Sequence, residues 1–286
     1  MENKRSRWLA VSLIICLSIF TSVSCTEIKT QPEKTASVQS FKRFPVLEYH
    51  LIKSPEARWS RTPENFRQDL EWLYQHNYYP INFRDILNNF AGLPKGKIPV
   101  VFTFDDSSSS QFRYLANGQV DPNCAVGIMK AFHDKHPHEW PLRATFFIVI
   151  GTNNPDRNIF GQPELREKKL RQLTEWGMEV ASHTYWHDQL DKTRPELARY
   201  SLARSVDTLR KLSGQEIDSL ALPMGLYPAD ESILAGKYQK INYDLKLGAE
   251  VAGGMQVVPW SKDFNPRHIH RIQTIAPEWK KFFGRN

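Results

Sequence analysis

The chain has 286 residues, 41% of them apolar and 12% aromatic, which is enough to build one large core and excludes a disordered chain. A mean hydropathy of −0.50 with 24% charged residues excludes a polytopic membrane protein. The formal charge of +7 comes without any basic run interleaved with aromatics, so it belongs to a solvated surface and no nucleic-acid partner is expected.

At the N-terminus Lys4, Arg5 and Arg7 precede the apolar run WLAVSLIICLSIF over residues 8–20, and the small residues TSVSC follow. A basic start, a short apolar stretch and small residues describe a secretory signal, too short to span a bilayer. The ending Ser22-Val23-Ser24-Cys25 resembles a bacterial lipobox. That implies a signal over residues 1–24, lipidation of Cys25, and anchoring to the cell or outer membrane of the envelope. An ordinary cleaved signal and a secreted protein are the alternative. Cleavage removes three basic residues and one acid, leaving +5. Beyond Cys16 and Cys25 only Cys124 remains, so there is no intrachain disulfide framework. Residues 25–43 read as a polar tether, of which the 18 residues after Cys25 reach at most roughly 60 Å, ahead of a single domain over residues 44–286.

From residue 44 strand and helix patterns alternate. FPVLEYH (44–50) is a short strand, and residues 62–77 form a helix with a Thr62 cap, Pro63 in the first turn and Phe66, Leu70 and Leu73 on one face. A short helix over 83–90 precedes a strand over 98–104, whose lack of alternation marks burial on both faces. Residues 121–136 are helical, with Val126, Met129 and Phe132 or His133 inward, and ATFFIVI (144–150) is another apolar strand. A helix over 163–177 stops at Gly177, MEVASH (178–183) is a strand, and residues 195–212 are a long helix. IDSLALP, INYDLKL and HIHRIQ supply the last strand candidates. Such alternation predicts a parallel α/β sheet, closed or nearly so.

Two stretches carry chemistry. VFTFDD (101–106) ends a buried strand in adjacent acids, which serve one site only where the backbone turns, as at the mouth of a β/α barrel. An Asp pair alone more often caps a turn. Ser182-His183-Thr184-Tyr185-Trp186-His187 also follows a strand, and two histidines four apart share a divalent metal if the segment curls helically.

Taken in order, PVLEYH, TPENFRQDLEWLYQHNYYPI, IPVVFTFDD, RATFFIVI, GMEVASHTYWH and LALPMGLYP resemble the NodB-type polysaccharide deacetylases, carbohydrate esterase family 4, over residues 44–275. The resemblance implies a distorted (β/α) barrel, and a hydrolase acting on carbon–nitrogen bonds other than peptide bonds. It implies removal of N-acetyl groups from an amino-sugar polysaccharide such as poly-N-acetylglucosamine, peptidoglycan or a chitin-like chain. Asp106, His183 and His187 match the family's metal triad and Asp105 its base. Zinc is the favoured cation, with cobalt, nickel or manganese also compatible. The backbone N–H of Met224, after Pro223, would hold the oxyanion. Members that begin with a PVLxYH strand use its histidine as acid, which favours His50, with His268 and His270 as rivals.

The chain also departs from the family. Ser107 stands in place of the glycine after the Asp pair, and Ala221 and Met224 replace the arginine and tyrosine of the RxPY motif. The arginine normally orients the base, so the tuning of Asp105 must come from elsewhere. Trp186 and Trp260 suit sugar stacking or core packing about equally. His133, His136 and His138 read as a solvated helix end, and Cys124 as a small buried apolar group. The protein is expected to act as a monomer. Two other functions remain open: carbohydrate O-acetyl esterase on the same fold, and non-catalytic glycan-binding lipoprotein.

Overall fold

The computed structural model describes residues 41–284. The signal, Cys25 and most of the tether lie outside the described residues. Eight parallel strands follow one another: β1 (Val46–Tyr49), β2 (Tyr78–Ile81), β3 (Ile98–Phe104), β4 (Thr145–Ile148), β5 (Glu179–Ser182), β6 (Ser219–Ala221), β7 (Leu247–Gly253) and β8 (Ile269–Gln273). Pairing runs β1–β8–β7–β6–β5–β4–β3, and β3 returns to β1 with Leu47 opposite Phe102 and Tyr49 opposite Phe104. Seven strands therefore close a ring, while β2 pairs only with the first half of β3. This is the expected distorted (β/α) barrel, in a single domain.

The outer layer consists of α1 (Pro63–Gln75), α2 (Ala125–Lys135), α3 (Arg166–Glu175), α4 (Pro195–Ser213) and α5 (Ala276–Phe283). α1 starts where the sequence says it should, because the Thr62 hydroxyl accepts the Asn65 N–H at 3.1 Å. Its Phe66, Leu70 and Leu73 are buried in the layer between helices and barrel, alongside Leu47, Phe102 and Phe146. A second apolar group, including Val46, Val101, Phe147, Ala181, Ala221 and Ile269, fills the ring. Strand alternation then sends Glu48 and His50, Thr103 and Asp105, and Arg271 along the same inner faces, toward the C-terminal mouth.

Two strands escape the sequence reading. β2 contains Pro80, which is tolerated because β2 lies outside the closed ring. INYDLKL is divided: Ile241–Asp244 pairs antiparallel with Ala235–Tyr238 in a hairpin, and the barrel strand begins at Leu247. β7 is rich in small residues for a packing reason, since a Cβ on Gly248 would lie 2.3 Å from the Arg267 carbonyl oxygen. Residues 83–88 form a 3₁₀ helix, and ordered pairing starts at Arg43, opposite Val257.

Candidate active site

At the C-terminal mouth of the barrel a cleft of about 520 Å³ is lined by His50, Asp105, Asp106, His183, His187 and Met224, among others. Asp105 continues the inward register of β3 and is buried. Beyond it the backbone turns through two left-handed residues, Asp106 at φ 76° and Ser107 at φ 45°, and this turn brings both carboxylates to one cleft. Glycine takes such a conformation freely and serine does not. Ser107 is held there by its side chain: Oγ donates to the Arg157 carbonyl at 2.7 Å and accepts the Val149 N–H at 3.1 Å.

His183 and His187 do not share a helix. A bend with positive φ at Thr184 (59°) and His187 (64°) folds the segment after β5 back on itself, so the two rings meet at 4.9 Å. Each Nε2 lies 3.4 Å from Oδ1 of Asp106. The Nδ1 of His183 donates to the Ala221 carbonyl at 2.8 Å, which fixes the ring and leaves Nε2 toward the cleft. Burial, reinforced by the neighbouring His183, lowers the His187 pKa to about 4, so this imidazole is neutral at physiological pH. Burial opposes ionisation of Asp106, but its hydrogen bond to His183 and the nearby Arg157 guanidinium help to outweigh burial and hold the carboxyl well below the usual range. One carboxylate oxygen and two imidazole nitrogens, mutually within 4.8 Å, therefore have the donor chemistry that a divalent cation requires.

The tuning of Asp105 comes from Arg271, a residue the sequence reading passed over. Fully buried on β8, its guanidinium donates to both oxygens of Asp105, each at 2.7 Å. Burial alone would raise the Asp105 pKa; the Arg271 charge and hydrogen bonds prevail and keep it ionised. The missing arginine at Ala221 is thus replaced from a different strand. The available signal was an arginine between the isoleucines of a predicted strand, HIHRIQ, since a buried arginine demands a carboxylate partner.

His50 follows β1 directly, with Nε2 3.8 Å from Oε1 of Glu48 and its ring 4.5 Å from Trp59. Burial lowers its pKa. Glu48 is buried too, 3.5 Å from Arg271, and neither carboxylate oxygen has a hydrogen-bond partner among the described residues. Burial pushes its pKa up to about 8. The rival histidines lie elsewhere. His268 sits between Glu231 and Glu250, 3.0 Å from each, and His270 is 3.5 Å from Glu250; neither lines the cleft.

Met224 lines the cleft at φ 60°, with Pro223 buried beside it. Trp186 does not: it packs on Tyr185 and Tyr200, with the Arg204 guanidinium 5.3 Å from its ring. Trp260 packs on Phe41 and Phe90. The cleft's own tryptophan is Trp59, which the sequence did not single out. His133 binds the Trp140 carbonyl, and Cys124 is buried.

A family model for polysaccharide deacetylases matches residues 93–240, just over half of the chain. YxkH of Bacillus subtilis, described as a polysaccharide deacetylase, is 21% identical over 256 residues, covering 87% of this chain and 78% of its own. Among solved structures, a Streptococcus pyogenes deacetylase, PplD, in complex with acetate, superposes with a TM-score of 0.59 at 24% identity, over 82% of this chain and 92% of that one. IcaB from Ammonifex degensii gives 0.61 at 20% identity, over 84% and 95%. These structural likenesses establish the shared barrel. With the match to the family model, they place the chain in the polysaccharide deacetylase family, hydrolases acting on carbon–nitrogen bonds other than peptide bonds.

Proposed function

We propose that the cleft removes N-acetyl groups from an amino-sugar polysaccharide, with Asp106, His183 and His187 holding a divalent cation, zinc in preference to cobalt, nickel or manganese. The observation that carries this reading is the ionised Asp105, gripped by Arg271, beside a His₂Asp donor set in one cleft. When bound, the cation supplies Lewis acidity, making water a nucleophile near neutral pH and polarising the acetyl carbonyl. Asp105 takes the proton of the attacking water, and Arg271 keeps its carboxylate aimed and charged. The Met224 N–H supports the oxyanion. As the carbon–nitrogen bond breaks, His50 protonates the departing nitrogen, and acetate and a free amine leave. Glu48, which holds a proton near neutrality, is the adjacent source for His50.

The signal-like residues 1–24 and Cys25 support export and lipid anchoring at the cell envelope, where poly-N-acetylglucosamine, peptidoglycan or a chitin-like chain would be within reach. Acetate release from these three glycans and from acetylated xylan, with metal analysis of the purified protein, tests the reading. Release from an N-acetylated glycan is expected. Release from xylan alone would identify an O-acetyl esterase, and glycan binding without any release would identify a non-catalytic lipoprotein.

A further inference from the structure

Arg157 presents its guanidinium to Oδ1 of Asp106, the oxygen that also lies 3.4 Å from Nε2 of His183 and of His187. A guanidinium cannot be deprotonated in a protein, so it brings a permanent positive charge to the point where a divalent cation would take its carboxylate. The backbone around Arg157 is fastened by the run of serines after the Asp pair. Ser107 Oγ donates to the Arg157 carbonyl at 2.7 Å, and the Ser107 carbonyl accepts the Phe160 N–H at 2.8 Å. Ser108 donates to Oδ2 of Asp156 at 2.7 Å, and Ser109 to its Oδ1. The loop is therefore tied down on both sides of Arg157, and only the side chain is left to turn. The buried Nε of Arg157 has no hydrogen-bond partner among the described residues, so no acceptor on that atom holds the guanidinium in place.

We propose that Arg157 is a tethered competitor of the metal, contending with it for the Asp106 carboxylate, and that the serine run, by fixing the loop, sets the metal affinity of the centre. The inference rests on the reading of Asp106, His183 and His187 as metal ligands. A guanidinium that instead helped to orient Asp106 for the metal would act in the opposite direction, which makes the sign of the effect decisive.

Zinc affinity of the full chain, measured by titration against a chromophoric chelator without any glycan, provides the test. Arg157→Gln keeps an amide donor on a shorter side chain and drops the charge, and is expected to tighten zinc binding about tenfold or more. Lys53→Gln removes another cation of the same cleft, one with no ion pair among the described residues, and is expected to change affinity by less than about threefold. Asp156→Ala loosens the loop and should tighten binding in the same direction. Unchanged or weaker binding in Arg157→Gln overturns the proposal, as does an equal gain in Lys53→Gln, which would reduce the effect to bulk charge. Should Arg157→Gln not fold, Asp156→Ala decides: tighter binding supports the proposal and unchanged binding overturns it. A parent protein that binds no zinc would sink the metal centre itself, a result distinct from equal affinities.

Discussion

Arg271→Lys keeps a positive charge beside Asp105 but cannot make two parallel hydrogen bonds to one carboxylate. We expect it to fold, to retain its metal and to lose kcat on the order of tenfold or more, read from acetate release. Arg271→Ala leaves the buried Asp105 unpaired and should cost ~3–5 kcal/mol in urea unfolding. Glu48 supplies a pH signature. Between about 4.5 and about 8 the folded chain holds a proton on Glu48 that the unfolded chain releases, so stability falls as pH rises through this window, by up to ~1.4 kcal/mol per unit. Glu48→Gln removes that slope, and its stability relative to the parent should grow from pH 5 to pH 8. Parallel curves in unfolding at several pH values would show that Glu48 ionises normally. His50→Ala should lower turnover with metal content intact; unchanged turnover would exclude His50 as the acid. Asp105, Asp106, His183 and His187 were legible because each motif is contiguous and ends a strand. Arg271 was not, because its partner lies 166 residues away and only barrel closure joins them.

At the scale of elements, local chemistry decides the helix start and long-range packing decides the strands. Thr62→Ala removes the acceptor for the Asn65 N–H and should lower stability by ~0.5–2 kcal/mol, seen in thermal or urea unfolding, without altering metal binding. α1 could be read directly because its cap, proline and apolar spacing agree. IDSLALP and HIHRIQ could be read as well, but β7 could not. Only glycine fits at 248, because the Arg267 carbonyl leaves no room for a Cβ, so β7 gives up at that position the side chain that would help to mark a strand. The segment after β5 was readable in composition but not in shape, since its left-handed Thr184 and His187 replace the helical curl that the four-residue spacing suggests.

For the whole molecule, the candidate metal centre draws on two strands' ends, β3 and β5, while β1 and β8 supply His50 and Arg271. A cation bound there would couple these parts in the folded state only. Stripping metal with a chelator should therefore lower Tm, and restoring zinc in excess should recover it, by about 2.7 kcal/mol at a hundredfold excess over Kd. Asp106→Ala should show no such response. β8 adds a consequence of its own. It lies between β7 and β1, so the ring closes only once residues 269–273 are in place, and those residues carry the counter-charge of Asp105. A chain ended before residue 269 would lack both the strand that shuts the barrel and the cation that makes Asp105 usable, and should yield neither a folded domain nor a partly active fragment.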